Sequence, residues 1–447
     1  MSEIELETYI PFRRRALVQY CLEDCLNDGK LNATERKSLE NFCELLSAYF
    51  HFDYQKQLEQ AKRAYTPLNP DLPAKPLKPT LPQTFMQCRQ DIAKLVGNFL
   101  NEANFTPLAE EELNRALLVE SLVPLKTRVD FEDFDDALVF FRDETTTTIK
   151  VKRFFRSKEL PIRNLSRVVL LLSFKERSHF ESKYESDELE ELGFTPGKSY
   201  LYLYKNVPRS DLELLFPNVK VTMNIKDRLM FALPAIGAIV PIILKILPSM
   251  ALLAAAIILM LFGTGVVQNM GLATHASDSI YPVLTAALTV GIGLGGFAVK
   301  QYLGYKGKRL KFLKKVTDTL FFKCLVTNEG VLHTLIDATE EEVCKEIILI
   351  YYHLLTANKP MTRDELDRHI ETWLQNRFST EIDFDIDKGL TKIATLDQKA
   401  KSLINVTVPT LVSEDEQGYL RAAPIGEALM LVDSLWDNAF PYAAKNR

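Results

Sequence analysis

The centre of this chain is almost free of charge, and that feature constrains its fold more than any other. Between Leu229 and Val299 only two of 71 residues carry a formal charge, Lys245 and Asp278. In the whole chain 25% of residues are charged, so an ordinary window of this length holds about 18 charges. Long apolar stretches are typical of membrane-embedded sequence, and we expect a membrane module between two charged portions.

Two membrane spans fit this module better than three. Its apolar runs at 250–267 and 280–299 have roughly the 20 residues that a helix needs to cross a bilayer core. The earlier run, 229–247, contains two prolines and a lysine, and a span there leaves almost no room for the following turn. The sequence therefore predicts a two-helix transmembrane hairpin with spans at about 242–267 and about 280–299, and three spans are the alternative.

Basic residues cluster directly after the second predicted span. They are Lys300, Lys306, Lys308, Arg309, Lys311, Lys314 and Lys315. The loop between the spans, 268–279, has no Lys or Arg, so the positive-inside rule predicts that both large portions lie on the cytoplasmic side. Because basic side chains near a bilayer attract anionic lipid head groups, we expect these seven side chains to face such lipids.

Small residues in the second predicted span favour close helix packing. Gly291 and Gly295 have the G-x-x-x-G spacing that lets two helices approach each other in lipid. We expect this face to pack on the other span or on a second copy of the chain, which would give a homo-oligomer.

Composition and periodicity divide the remainder of the chain. A capping-box sequence at Asn32–Glu35 indicates N-terminal helices, and prolines at every third position from Pro67 to Pro82 predict an extended strap. Runs of β-branched and aromatic residues predict strands of a small mixed sheet at 137–142, 146–155, 167–175 and 199–205. A second capping box, Thr362–Glu365, starts a series of helices that is followed by a predicted hairpin within 406–423 and a last helix at 426–436.

The expected fold class is therefore α+β, with N-terminal helices, a small mixed sheet, a two-helix transmembrane hairpin and a C-terminal winged-helix-like module. The predicted segments are 1–66 (N-terminal helices), 67–84 (polyproline strap), 85–228 (α+β domain), 229–300 (membrane module), 301–340 (basic juxtamembrane connector) and 341–447 (winged-helix-like module).

Charge and motif content argue against several function classes. The net charge is −5, and residues 356–447 contain 11 Lys or Arg against 15 Asp or Glu, whereas a duplex-binding surface is basic. The six cysteines form no CxxC, and the six histidines show no metal-ligand spacing. Gly193–Ser199 has one residue too few between its glycines for a phosphate-binding loop. We expect no cofactor, no metal, no catalytic residue and no nucleic-acid partner.

Several segments resemble the family of uncharacterised membrane proteins that includes transmembrane protein 143. The similarity runs in the same order from about residue 9 to residue 440, and the segments that carry it are YIPFRRRALV (9–18), HFDYQKQLEQAKRAY (51–65), YKNVPRSDLELLFPNVKV (204–221), KQYLGYKGKRLKFLKKVTDTLFFK (300–323) and PMTRDELDRHIETWL (360–374). The resemblance implies a domain of unknown function and a membrane topology, and it supplies no catalytic residue.

The leading hypothesis is a membrane-anchored interaction or scaffold protein whose partners are the lipid bilayer and unidentified proteins. One alternative is an oligomeric transport or lipid-handling protein. Another is a membrane-tethered enzyme with a site near 204–218, whose polar candidates are Lys205, Arg209, Asp211 and Glu213. The acidic N-terminus resembles neither a signal peptide nor a mitochondrial presequence, so a bacterial inner membrane, crossed more than once, is the simplest expected location.

Overall fold

A computed structural model describes residues 8–72, 82–108, 126–153, 156–190, 192–222, 324–403 and 409–439, together with separate positions between 288 and 323. The chain divides into two compact units. The first consists of Met1–Val119, Asp130–Leu212 and Lys323–Arg447, and the second consists of Glu120–Val129 and Glu213–Phe322. The described residues form a mixed α/β structure.

Helices make up the larger part of the secondary structure described in the first unit. Those with defined bounds are α1 (Arg14–Asp28), α2 (Ala33–Tyr65), α3 (Pro82–Glu102), α4 (Arg177–Glu181), α5 (Ser186–Glu190), α6 (Glu329–Leu355), α7 (Arg363–Phe378), α8 (Ile386–Leu403) and α9 (Ile425–Asp437). Both predicted capping boxes are confirmed: Asn32 and Glu35 exchange side-chain to backbone hydrogen bonds at the start of α2, and Thr362 and Glu365 do so at the start of α7.

A five-stranded antiparallel sheet forms the other part of the first unit. The described strands are β1 (Thr106–Pro107), β2 (Lys126–Arg128), β3 (Phe134–Arg153), β4 (Arg156–Phe174), β5 (Ser199–Pro208), β6 (Lys220–Thr222), β7 (Cys324–Thr327), β8 (Val412–Glu414) and β9 (Leu420–Ala422). The sheet order is β1-β3-β4-β5-β7, β8 and β9 form a separate hairpin, and β2 pairs with β6 in the second unit. Two predicted strands, 137–142 and 146–155, fall in the single strand β3 as far as Arg153, and residues 154 and 155 lie outside the described part of the chain.

Helix α6 is the centre of the core. It contacts the helices α1, α2, α3, α7 and α8, the sheet strands β5 and β7, and the hairpin strand β9. Its residues Ile347–Tyr351 are at most 2% exposed. Because a helix surrounded by other elements has no solvent face, it is apolar on nearly every side. The α6 sequence from Ile347 onward fits that position.

The fold-class prediction of a separate winged-helix-like C-terminal module is wrong. Helix α9 packs on α2 and α8, and α6 packs on α2 and α3, so N-terminal and C-terminal helices share one core. The physical reason lies in α6, since its stretch Ile347–Tyr351 is buried on every side and needs more partners than the 341–447 segment alone provides.

The fold-class prediction of a two-helix transmembrane hairpin is also corrected. No helix among the described residues is both long enough and apolar enough to cross a bilayer. The described positions of the second predicted span, from Leu288 to Val299, are helical, but the helical positions continue through Lys300, Lys306 and Lys314, where charge lowers the hydropathy. The first predicted span, about 242–267, lies outside the described residues.

The start of the predicted polyproline strap is folded into turns. Leu68 is fully buried, and its carbonyl accepts a hydrogen bond from the backbone of Ser199 at 3.0 Å. The side chain of Asn69 accepts one from the backbone of Asp71 at 3.0 Å, which closes an Asx turn. The extended conformation is therefore wrong for residues 67–72, and residues 73–81 lie outside the described part of the chain.

Candidate functional site

Three of the seven predicted lipid-facing basic residues can be located. Lys300, Lys306 and Lys314 are helical and exposed. Gly295, predicted for span packing, is also helical and exposed, and a Cβ added to it would meet no atom within 4 Å. The remaining predicted residues lie outside the described residues, and they are Lys308, Arg309, Lys311, Lys315 and Gly291.

The same helical segment exposes large apolar side chains. Every large apolar residue that the structure describes between 288 and 310 is 57–68% exposed, and these residues are Leu288, Ile292, Val299, Tyr302, Leu303 and Leu310. Successive members of this set are 4, 7, 3, 1 and 7 residues apart, and at 3.6 residues per turn these separations keep them within about one third of the circumference of a helix. Soluble proteins rarely expose a row of this kind without a binding partner, so this apolar face is a candidate interaction surface.

The polar residues of the 204–218 segment are distributed over both units. Lys205 and Arg209 belong to the first unit, and the guanidinium of Arg209 donates to Glu144 on β3 at 3.0 Å. Glu213 belongs to the second unit, and burial raises its pKa to about 7. Arg209–Leu215 form a 3-10 helix, in which the hydroxyl of Ser210 donates to Asp211 at 3.3 Å.

A buried charged cluster on α6 was not anticipated from the sequence. Glu342, Lys345 and Glu346 are only 1–3% exposed, although each carries an ionisable group. The ammonium of Lys345 lies 2.5 Å from Glu342 Oε1 and donates to the backbone carbonyls of Ile10 at 2.5 Å and Phe12 at 3.1 Å. A buried lysine thus connects the central helix to the N-terminal segment that covers it.

Further polar groups complete this cluster from two other elements. Asn104 Nδ2 donates to Glu346 Oε1 at 3.1 Å and to Glu342 Oε2 at 3.4 Å. From α8, Lys392 donates to Glu346 Oε2 at 2.6 Å, and Lys388 donates to Asn104 Oδ1. The pKa of Glu342 is raised by burial, and the opposing charge of Lys345 reduces that rise. Burial also lowers the pKa of Lys345 and of Lys388.

A cleft of about 440 Å³ opens beside this cluster, between α2 and α8. Three lysines of α8 line one wall, namely Lys388, Lys392 and Lys399. The facing wall carries Tyr49, Phe50, Asp53, Tyr54 and Gln57 from α2 and Glu102 from α3. The cleft therefore combines an ammonium-rich wall with an aromatic wall, which is an arrangement suited to an anion with a carbon skeleton.

One weak signal in the sequence pointed to the charged cluster. Positions 342, 345 and 346 follow the i, i+3, i+4 spacing of one helix face, and they directly precede an apolar run. The same spacing is common on solvated helices, so the sequence alone favours an exposed face. The three lysines of α8 lie at intervals of four and seven residues. This spacing likewise does not distinguish a buried helix face from an exposed one.

Comparison with known proteins adds a family assignment for part of the chain. Residues 165–330 match the family described as a protein of unknown function, DUF3754. The matched region begins in β4 and ends at the start of α6, so it includes the apolar face but not the α8 lysines. This match confirms the expected domain of unknown function, and no solved structure matches the chain.

Proposed function

We propose that the protein is an interaction protein attached to a lipid bilayer through the apolar face between residues 288 and 310. The observation that carries this proposal is the exposure of every large apolar side chain described in that interval. Burying a leucine of this kind in lipid is favourable by about 1.5–3 kcal/mol. Transfer of several such residues from water into lipid is therefore strongly favourable.

Charge makes a bilayer a better occupant of this face than another protein. Lys300, Lys306 and Lys314 lie along the same helical segment and are exposed. A lysine near an anionic membrane surface contributes about 1 kcal/mol of attraction. The almost uncharged stretch 229–299 and the resemblance to membrane proteins that include transmembrane protein 143 support the same location. The charged first unit would then contact protein partners at the membrane surface.

Lipid contact at this face can be measured with an environment-sensitive fluorophore. The full-length chain, with Cys88 and Cys324 replaced by serine, would carry Leu303→Cys and be reconstituted into vesicles of phosphatidylcholine and phosphatidylglycerol. We expect doxyl-labelled lipid to quench the fluorophore at position 303. Leu26→Cys is the matched control because Leu26 is 62% exposed on α1 in the first unit, compared with 59% for Leu303, and it should be quenched by aqueous iodide instead.

Two outcomes contradict the proposal. If iodide quenches position 303 as strongly as position 26, the apolar face lies in water. If neither iodide nor doxyl lipid quenches it, a protein covers the face, as in a homo-oligomer. A triple variant, Lys300→Gln with Lys306→Gln and Lys314→Gln, should reduce doxyl quenching more in anionic than in neutral vesicles, because its effect acts through head-group charge.

A further inference from the structure

The cleft between α2 and α8 has an unusual balance of charge. Lys388 and Lys392 approach the buried carboxylate of Glu346, at 3.9 and 2.6 Å, and Lys345 and Arg142 act on the neighbouring carboxylate of Glu342. These contacts place four cationic side chains around two buried carboxylates, and the cleft adds Lys399 on one wall and Asp53 and Glu102 on the other. Since buried charges are normally balanced, an anion that enters the cleft has to be held by donors that its present partners do not fully use.

The acidic groups on the facing wall already have partners. Asp53 accepts a hydrogen bond from the ammonium of Lys399 at 2.8 Å, and Glu102 accepts one from the hydroxyl of Tyr54 at 2.7 Å. The charge of Asp53 is therefore balanced by Lys399 before any ligand enters, whereas Glu102 is stabilised by a hydrogen bond from a neutral hydroxyl. The Tyr54 and Glu102 pair also keeps the aromatic wall fixed in position.

Lys392 has hydrogen-bonding capacity directed toward the cleft. An ammonium group has three N–H donors, and among the described residues its hydrogen-bond acceptor is the single oxygen Glu346 Oε2. Its side chain is 13% exposed and lines the cleft. A ligand oxyanion in the cleft can therefore bind Lys392 without displacing Glu346, while Lys388, one turn earlier on α8, contributes charge.

We propose that this cleft binds a small phosphate monoester, with phosphate oxygens accepting hydrogen bonds from Lys392 and the carbon part lying against Tyr49, Phe50 and Tyr54. The ammonium groups of Lys392 and Lys388 attract a doubly charged phosphate more strongly than a singly charged carboxylate. A volume of about 440 Å³ accommodates an organic group in addition to the phosphate. The phosphate belongs either to a free metabolite or to a lipid head group, and the binding chemistry is the same for both.

Isothermal titration of the full-length chain in neutral detergent tests this proposal. The probes are glycerol 3-phosphate, inorganic phosphate, glycerate and glycerol. We expect saturable binding of glycerol 3-phosphate at least threefold tighter than that of inorganic phosphate, weaker binding of glycerate and none of glycerol. Absence of saturable binding, or glycerate binding as tightly as glycerol 3-phosphate, overturns the assignment.

The double variant Lys392→Gln with Glu346→Gln identifies the site. It removes the ammonium together with its buried partner, so the net charge is unchanged and no unpaired carboxylate remains to unfold the core. We expect binding at least tenfold weaker in a variant whose melting temperature is close to that of the parent. Lys401→Gln, an exposed lysine farther along α8, is the matched control and should bind within twofold of the parent. Equal binding by the double variant and the parent contradicts the proposal.

Competition distinguishes the two sources of the phosphate. Dioctanoyl phosphatidic acid, added to the same micelles, displaces glycerol 3-phosphate if the natural ligand is a lipid head group, and the Lys401→Gln control should show the same displacement. If phosphatidic acid does not compete while glycerol 3-phosphate binds, the site takes a free phosphate monoester. Both results support a phosphate site, whereas displacement by phosphatidylcholine alone shows binding through the acyl chains and contradicts it.

Discussion

The pair formed by Glu342 and Lys345 allows a quantitative test of how buried charge is tolerated in this core. Both side chains are 1% exposed, and the ammonium lies 2.5 Å from the carboxylate. The perturbation is Lys345→Met, which keeps the length of the side chain and removes its charge. Glu342 is then left with weak contacts, since Asn104 Nδ2 and the backbone N–H of Ile10 are each 3.4 Å away.

The expected loss follows from the balance between attraction and desolvation. Two unit charges about 3 Å apart attract by about 5 kcal/mol at an effective dielectric constant of about 20, and desolvation of the two ions offsets most of this. Lys345→Met removes the attraction while Glu342 remains desolvated, so we expect a loss of about 3–5 kcal/mol in the free energy of unfolding. Adding Glu342→Leu removes the stranded charge, and this double variant should recover at least about 1 kcal/mol of that loss.

The loss should also depend on pH. Without Lys345, the pKa of Glu342 rises further above its unfolded value of about 4.3, so the native state binds a proton that the unfolded state releases. Stability of the Lys345→Met variant relative to the parent therefore falls as pH rises above that value. We expect a larger loss at pH 8 than at pH 5.5.

Guanidinium unfolding followed by tryptophan fluorescence measures these changes, because both tryptophans, Trp373 on α7 and Trp436 on α9, lie in the first unit. Lys62→Met is the matched control, since Glu59 and Lys62 have the same order and spacing on the surface of α2, and it should change stability by less than about 1 kcal/mol. A double variant as unstable as Lys345→Met, or a loss independent of pH, refutes the reasoning.

Two further predictions concern packing and protonation in the same unit. Gly389→Ala places a Cβ 2.4 Å from Ile350 Cδ1 and should destabilise the chain by about 1–3 kcal/mol in guanidinium unfolding, whereas Gly97→Ala in α3 meets no atom within 4 Å and should be stabilising or neutral. Burial and the neighbouring His369 hold the pKa of His353 well below its usual value, so stability should fall as pH drops below about 6.5, by at most about 1.4 kcal/mol per pH unit. His353→Phe should flatten that dependence between pH 7 and 5, and an unchanged slope contradicts it.

Local features of this fold were predictable from the sequence, whereas long-range ones were not. The capping boxes at Asn32 and Thr362 depend on residues three apart, and the strand at 199–205 depends on a local aromatic-rich run, so both predictions succeeded. The break between 142 and 146 misled the strand prediction, because β3 continues through Asp143, at φ 62°, and its pairing with β4 keeps the same register from Arg142 to Glu144. No local pattern encodes the packing of α9 on α2.

In the candidate site, too, local features were predictable from the sequence and long-range contacts were not. The exposure of Lys300, Lys306 and Lys314 followed from charge and position along the chain. The α6 cluster and the cleft beside it join residues from α2, α3, α6 and α8 with the N-terminal segment, and their burial depends on tertiary packing. Charged residues at helical spacing usually face solvent, so the sequence favoured the wrong environment for Glu342, Lys345 and Glu346.

The topology of the first unit restricts how residues 213–322 can associate with a bilayer. The chain leaves this unit after Leu212 and returns at Lys323, and β5 and β7, which flank the excursion, pair directly through Leu203 and Val326. Residues before and after the segment thus fold into one sheet and one core around α6, and a single folded unit cannot lie on both sides of a membrane. An odd number of crossings between 213 and 322 is incompatible with this pairing, which argues against the three-span alternative. Attachment through the apolar face meets the constraint, because it requires no crossing at all.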